Sequence, residues 1–156
     1  AWHGADDMVR LVRAIRIADS LLQQHPDVTR YQAIKAHTLG TLAGLQYRNG
    51  KVDHAIKTLT DKVAIEQAMI ESSPNLAVYK IQFAQTLERL AEIEQENHRY
   101  ESAGNHLQRA VNMLSTEARG VQGSPATRIH LQRIRIKLQR SGRDDEGADA
   151  GDSSAE

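Results

Sequence analysis

The sequence repeats itself with a period of 48. Between residues 26 and 63, eleven of the 38 positions are identical to the positions 48 further along the chain. Most of the identical residues are apolar or small, and several recur at intervals of three and four, as residues on one face of a helix do. Such a chain is predicted to build one structural unit repeatedly, with neighbouring units burying each other's apolar faces.

Each period contains signals for two helices joined by a turn. Asn49 and Gly50 break the helical pattern in the first copy, and His98 stands in the place of Gly50 in the second. Pro26 and Pro74 each follow the end of one helix and open the next. We therefore predict six antiparallel helices, at residues 6–24, 27–48, 51–72, 75–96, 99–116 and 126–140.

The composition supports an all-α fold. Only 4% of the residues are aromatic, and helix-favouring residues dominate. The predicted fold class is an all-α solenoid of helical hairpins with a right-handed superhelix. No run of apolar residues is long enough to span a membrane. The absence of cysteine leaves the compartment open, with the cytoplasm slightly favoured over export.

The charge is distributed unevenly along the chain. Residues 142–156 contain six acids and one arginine, a net charge of −5, so residues 1–141 carry +5. The acidic segment has no apolar residue larger than alanine, which is typical of disorder. We predict a repeat domain at residues 1–141 and a disordered acidic tail at residues 142–156. Because the chain opens on Ala1 and not on methionine, we expect it to be part of a larger protein.

The repeated unit resembles the tetratricopeptide repeat. The resemblance rests on a large and a small apolar residue in the first helix, glycine at the turn, two positions in the second helix and a closing proline: Leu42, Ala43, Gly50, Ala55, Leu59 and Pro74. The period of 48 exceeds the usual value of about 34, and Leu39 and Gln46 replace the signature tryptophan and tyrosine. Elongated repeats of this kind occur in bacterial multidomain proteins.

The resemblance implies a concave groove, lined by the first helix of each hairpin, that binds a protein or peptide. The groove residues would be His37, Gly40, Gly44 and Tyr47 from one helix and Gln85, Glu88, Glu92 and Gln95 from the next. The glycines would either admit a neighbouring helix or keep the groove floor open for a ligand. The glutamates would form either a solvated surface or an acidic wall that selects a basic segment.

A basic stretch near the C-terminus forms a possible second surface. No acid occurs between Arg119 and Arg143, and the predicted last helix contributes Arg128, Arg133, Arg135, Lys137 and Arg140. Three interpretations stay open: a solvated face on which the acidic tail folds back, a contact for another subunit or repeat, or a site for phosphate or anionic lipid. Nucleic-acid binding is disfavoured because no stacking aromatic residues accompany these charges.

The terminal helices carry more apolar residues than one packed face requires. In the first helix Val9 and Ile17 lie beside the inner stripe, and in the last helix Ile129 and Ile136 lie opposite it. No metal, phosphate or nucleophile motif is present, so we expect neither an enzyme nor a cofactor. The predicted function is a protein-interaction scaffold. The alternatives are homodimerisation through the terminal helices and binding of an anionic polymer.

Overall fold

The chain folds into α-helices. The computed structural model describes the backbone of residues 4–119 and 125–152 and the side chains of residues 6–116 and 125–141. The helices are α1 (Gly4–Gln24), α2 (Thr29–Arg48), α3 (Val52–Ser72), α4 (Ala77–Glu96), α5 (Tyr100–Arg119) and α6 (Pro125–Asp152). No strand occurs in the described ranges. The all-α prediction is confirmed, and the first five helices begin and end within three residues of their predicted bounds.

The helices form two compact units, Ala1–Tyr79 and Lys80–Glu156. In the first unit, α2 contacts both α1 and α3. The second unit contains most of α4 together with α5 and α6, and α5 packs on α6.

The residues that repeat in the sequence form the core of each unit. The first unit buries Ala36, Leu39, Leu42, Ala43, Ala55, Leu59 and Val63, and the second buries Ala84, Leu87, Leu90, Ala91, Ala103, Leu107 and Val111. Each buried leucine contributes about 1.5–3 kcal/mol of transfer free energy. The helices therefore owe their stability mainly to these shared faces.

The two hairpin turns have the same backbone geometry. Gly50 and His98, which are separated by one period of the repeat, both adopt a positive φ, of 72° and 58°. Next to Gly50, the N–H of Lys51 donates to the carbonyl of Gln46 at 2.9 Å. In the second turn the N–H of Arg99 donates to the carbonyl at the equivalent position, 2.8 Å away. Both helices thus end in the Schellman pattern, which satisfies their last carbonyls.

A partly buried polar contact lies close to the turn of each hairpin. Between α2 and α3, the hydroxyl of Thr58 donates to Gln46 Oε1 at 2.7 Å. Between α4 and α5, the hydroxyl of Ser102 donates to Glu94 Oε1 at the same distance. Because a buried polar group without a partner is costly, these contacts make each helix specific for the other helix of its hairpin.

The last helix is longer than the sequence predicts. α6 continues to Asp152, so the backbone of residues 142–152 is helical, whereas we expected disorder from residue 142. Three glycines and four aspartates give this segment low helix propensity, but it contains no proline, so the helix continues from residue 141 without a break. Ser141, the predicted last residue of the repeat domain, is buried, and the boundary itself stays a prediction. Residues 153–156 lie outside the described residues.

Candidate interaction site

Helices α4 and α6 lie side by side and run parallel. Among the side-chain contacts between them, three recur in register, and we call these the polar ladder: Gln85 Nε2 to His130 Nε2 (3.4 Å), Glu88 Oε2 to Arg133 Nη2 (2.5 Å) and Glu92 Oε1 to Lys137 Nζ (2.5 Å). Each contact joins residues 45 positions apart. A constant difference in residue number means parallel helices, because antiparallel neighbours would keep a constant sum.

The sequence spacing explains why the charged groups meet. Glu88 and Glu92 lie four residues apart on α4, and Arg133 and Lys137 lie four residues apart on α6. Residues at this spacing share one helix face. Packing both helices on α5 brings the two faces together in register.

Ion pairs hold this face together. The Nζ atom of Lys137 lies 2.6 Å from Glu88 Oε1 and 2.5 Å from Glu92 Oε1, so one cation bridges both carboxylates. Arg89 Nη1 lies 3.1 Å from Glu92 Oε2. Glu88 is only 5% exposed. A carboxylate so buried requires charged partners, and Arg133 and Lys137 supply them.

Two pKa values reflect the pairing. Partial burial raises the pKa of Glu92, but the hydrogen bonds and charges of Lys137 and Arg89 outweigh this effect and hold it below its ordinary value. Burial lowers the pKa of Lys137, but its hydrogen bonds to Glu88 and Glu92 prevail, so its pKa is raised. Both groups are therefore charged at neutral pH.

A surface depression of about 330 Å³ opens above the polar ladder. It is lined by Gln85, Glu88, Arg89, Glu92, Arg133 and Lys137. Three cations face two carboxylates, which leaves an excess of one positive charge. The interpretation of the glutamates as a free acidic wall therefore needs correction: their charges are already neutralised by α6, and a basic partner would have to displace Lys137 and Arg133.

The structure thus joins two surfaces that the sequence presented separately. Gln85, Glu88 and Glu92 of the predicted groove line one depression together with two residues of the basic second surface, Arg133 and Lys137. Sequence reasoning did not assign Arg89 and His130 to either surface. The spacing of Arg89 and Glu92, three residues apart on one helix, was the available signal for the first. Gln95, also predicted for the groove, is half-buried and does not line the depression.

The outward face of α6 carries an uncovered apolar stripe. Ile129 is 68% exposed and Ile136 is 42% exposed. They lie seven residues apart, so they share one side of the helix. Arg135 donates to Ser115 Oγ at 3.3 Å, and Arg128 and Arg140 are exposed. The predicted second apolar face of this helix is therefore present at the surface, surrounded by arginines.

The α2 half of the predicted groove lies in the first unit. His37 is exposed and Tyr47 is half-buried. A Cβ atom added to Gly40 would meet the Lys62 side chain of α3 at 3.4 Å, whereas one added to Gly44 would approach only Arg48, at 3.6 Å. The atoms nearest Gly40 thus belong to the flexible end of the Lys62 side chain at van der Waals distance, and within the described ranges no backbone of a neighbouring helix comes close enough to require glycine.

One cluster combines residue types that catalyse reactions in other proteins. Ser102 donates to Glu94 Oε1, and His106 Nε2 lies 3.5 Å from the same oxygen. Both contacts converge on the carboxylate, and neither brings the imidazole to the serine hydroxyl, as a nucleophile and base would require. Both contacts satisfy Oε1 of this buried carboxylate, and its Oε2 has no hydrogen-bond partner in the part of the chain that the structure describes. Among the described residues, no group of three or more histidine, aspartate or glutamate side chains is placed to hold a metal ion.

Comparison with known proteins identifies the fold. A de novo designed helical repeat protein, DHR64, matches 92% of this chain with a TM-score of 0.54 and 14% sequence identity, and the match covers 73% of that protein. No protein-family model and no curated protein matches the chain. The chain is an all-α helical repeat protein. In the described part of the chain, no helix is both long and apolar enough to cross a membrane.

Proposed function

We propose that this chain is a non-enzymatic protein-interaction module, in which the face built by α4 and α6 binds a segment of a partner protein. The exposed stripe of Ile129 and Ile136 carries the proposal, because it adjoins a charged depression between two parallel helices. Exposed apolar side chains rimmed by polar groups are typical of interaction surfaces. The glutamates of the predicted groove hold this surface together and are not its recognition elements.

We further propose that the unit is an elongated tetratricopeptide-like repeat with a period of 48. The first residues of α2 and α4, Thr29 and Ala77, differ by this number, and so do the last residues, Arg48 and Glu96. The left-handed residues of the two turns keep the same separation. A right-handed superhelix and an origin in a larger bacterial protein follow from the resemblance and belong to this proposal.

Selection from a displayed library of random peptides tests the binding function. The immobilised domain is panned against the library, and the enriched peptides are then panned against the variant Ile129→Ser, Ile136→Ser. We expect wild-type protein to enrich a small set of related peptides that the variant no longer retains. Matched substitutions on α1, Val9→Ser with Ile17→Ser, should leave retention unchanged. If no family of peptides is enriched, or if the Ile129/Ile136 variant retains the same peptides, the proposed function is wrong.

Homodimerisation is the second candidate. It is favoured by α1, where Val9 is 69% exposed and Ile17 is 54% exposed. Light scattering coupled to size exclusion at rising protein concentration would show a shift from monomer to dimer mass. The shift should disappear in the Val9→Ser, Ile17→Ser variant if α1 forms the interface. A constant monomer mass would eliminate this candidate.

A further inference from the structure

We infer that the partner segment is an acidic amphipathic helix with apolar anchors at positions i and i+7, which lies along the outward face of α6. This inference rests on the proposed function and adds the chemistry and conformation of the partner.

The apolar stripe sets the spacing of the anchors. Ile129 and Ile136 are separated by two turns of α6, about 10.5 Å at 1.5 Å per residue. A second helix laid along α6 presents side chains at the same interval, and its side chains at i and i+7 can pack on both isoleucines. The distance between the isoleucines thus matches the natural repeat of a helical ligand.

The charges beside the apolar stripe determine the sign of the charge that the partner segment should carry. Arg140 lies on one side of the isoleucines around the helix, beyond Arg133, whose charge is paired with Glu88. Arg128 and Arg135 lie on the other side. In residues 125–141 of α6 there is no acidic residue. A docked helix would therefore have basic groups along both of its edges, and acidic residues flanking its apolar anchors would be complementary to them.

Two occupants from this same chain fit poorly. The acidic residues 142–152 continue α6 as one unbroken helix, so they cannot fold back on the face of that helix. A second α6 paired in parallel, or antiparallel about the centre of residues 128–140, would set arginine against arginine. Like charges at such distances are destabilising. A separate acidic helix avoids both problems.

Fluorescence anisotropy with synthetic helical peptides tests the inference. The probe is a labelled peptide of four helical turns with leucine anchors at i and i+7, flanked by glutamates, and the matched peptide has lysine at every glutamate position. We expect the acidic probe to bind at least tenfold more tightly than the basic one, with affinity falling as salt rises. Ile129→Ser with Ile136→Ser should weaken binding at least tenfold, as should Arg140→Glu with Arg128→Glu. The α1 variant Val9→Ser, Ile17→Ser is the matched control and should bind normally.

Other results would overturn the inference. Equal or tighter binding of the lysine peptide would show that the partner segment is not acidic. A dimer mass in light scattering that is lost in the Ile129/Ile136 variant would identify a second copy as the occupant. Tighter binding to phosphatidylserine vesicles than to the acidic probe, through the same residues, would identify a lipid surface. If the displayed library yields peptides that need Ile129 and Ile136 for binding but contain no acidic residues, only this inference fails. If the library yields no family of related peptides, the proposed function itself is wrong.

Discussion

His98 occupies a backbone position that suits glycine. Its φ of 58° lies in the left-handed region, where a side chain costs energy, whereas Gly50 in the equivalent turn avoids that cost. The His98 ring contacts Tyr100, with Nδ1 3.0 Å from the hydroxyl oxygen, and this contact offsets part of the strain. The packing of the two helices of the hairpin therefore determines this backbone conformation, and the intrinsic preference of His98 does not.

We predict that His98→Gly stabilises the protein by about 0.5–1 kcal/mol, because glycine adopts this φ without steric strain. Urea unfolding followed by circular dichroism at a helix-sensitive wavelength measures the change. Gly50→Ala makes the converse change at the equivalent position and should destabilise the protein by about 1 kcal/mol, because alanine is strained at this positive φ. A His98→Gly variant less stable than wild type would show that the histidine contacts outweigh the backbone strain.

Helical glycines should respond in the opposite way to Gly50. Gly40→Ala and Gly44→Ala are each expected to stabilise by about 0.5–1 kcal/mol, because alanine has the higher helix propensity. At Gly40 the new methyl group meets only the flexible Lys62 side chain at van der Waals distance. The same urea titration gives the values. Destabilisation by Gly40→Ala would mean that Lys62 cannot move aside and that close helix packing requires glycine.

At the level of elements, the polar ladder fixes the register of α4 and α6. Its stability contribution depends on pH. The pKa of Glu92 is lowered, so its contribution is complete above the unfolded value of 4.5 and is lost as the pH falls through the folded pKa. The pKa of Lys137 is raised, so its contribution is complete below 10.5 and is lost as the pH rises through the folded pKa.

We therefore predict that Lys137→Met destabilises by about 1 kcal/mol between pH 5 and pH 10, after allowance for solvent screening. The difference from wild type should shrink below and above that range. Urea unfolding of both proteins across the pH series measures it. Gln139→Met is a matched control on an exposed position of the same helix. A difference that does not vary with pH would show that Lys137 acts through packing and not through its charge.

A larger loss of stability is expected when a repeated core residue is replaced. Leu90 is 1% exposed, so Leu90→Asp buries an unpaired carboxylate and leaves a cavity, and should cost at least about 3 kcal/mol. Ile129→Asp places the same change on the exposed face and should alter stability by less than about 1 kcal/mol. Thermal denaturation compares them. Equal stability of the two variants would contradict the placement of the repeated residues in the core.

The helices could be predicted from the sequence, whereas the side-chain contacts between α4 and α6 could not. Leu39, Leu42 and Ala43 lie at helical spacing, and the same residue types recur 48 positions later. Because every hairpin must bury the same face, the repeat identified both the helices and the core. The pairing of Glu88 with Arg133 has no such signature. The two residues are 45 positions apart, which is not the repeat period, and the separation depends on how α5 and its connections offset the neighbouring helices. Only tertiary packing sets this offset.

At the scale of the whole molecule, the ladder register also predicts where the packed structure ends. With a separation of 45, the last residue of α4, Glu96, corresponds to Ser141 of α6, and later residues of α6 have no part of α4 beside them. Deleting residues 142–156 should therefore change the free energy of unfolding by less than about 0.5 kcal/mol. Thermal and urea denaturation of the shortened chain measure this. A loss of more than about 2 kcal/mol would show that this segment packs on the repeat domain.

The partly buried polar contacts near the turns limit how such a protein can be rearranged during evolution. Gln46 is matched to Thr58 in one hairpin, and Glu94 is matched to Ser102 in the other. A gene recombined between the two helices of a hairpin would join α4 to α3 and set the Glu94 carboxylate in a core that lacks its serine. Duplication of whole hairpins preserves both matches. The hairpin is therefore the smallest segment that recombination can copy or exchange without a loss of stability.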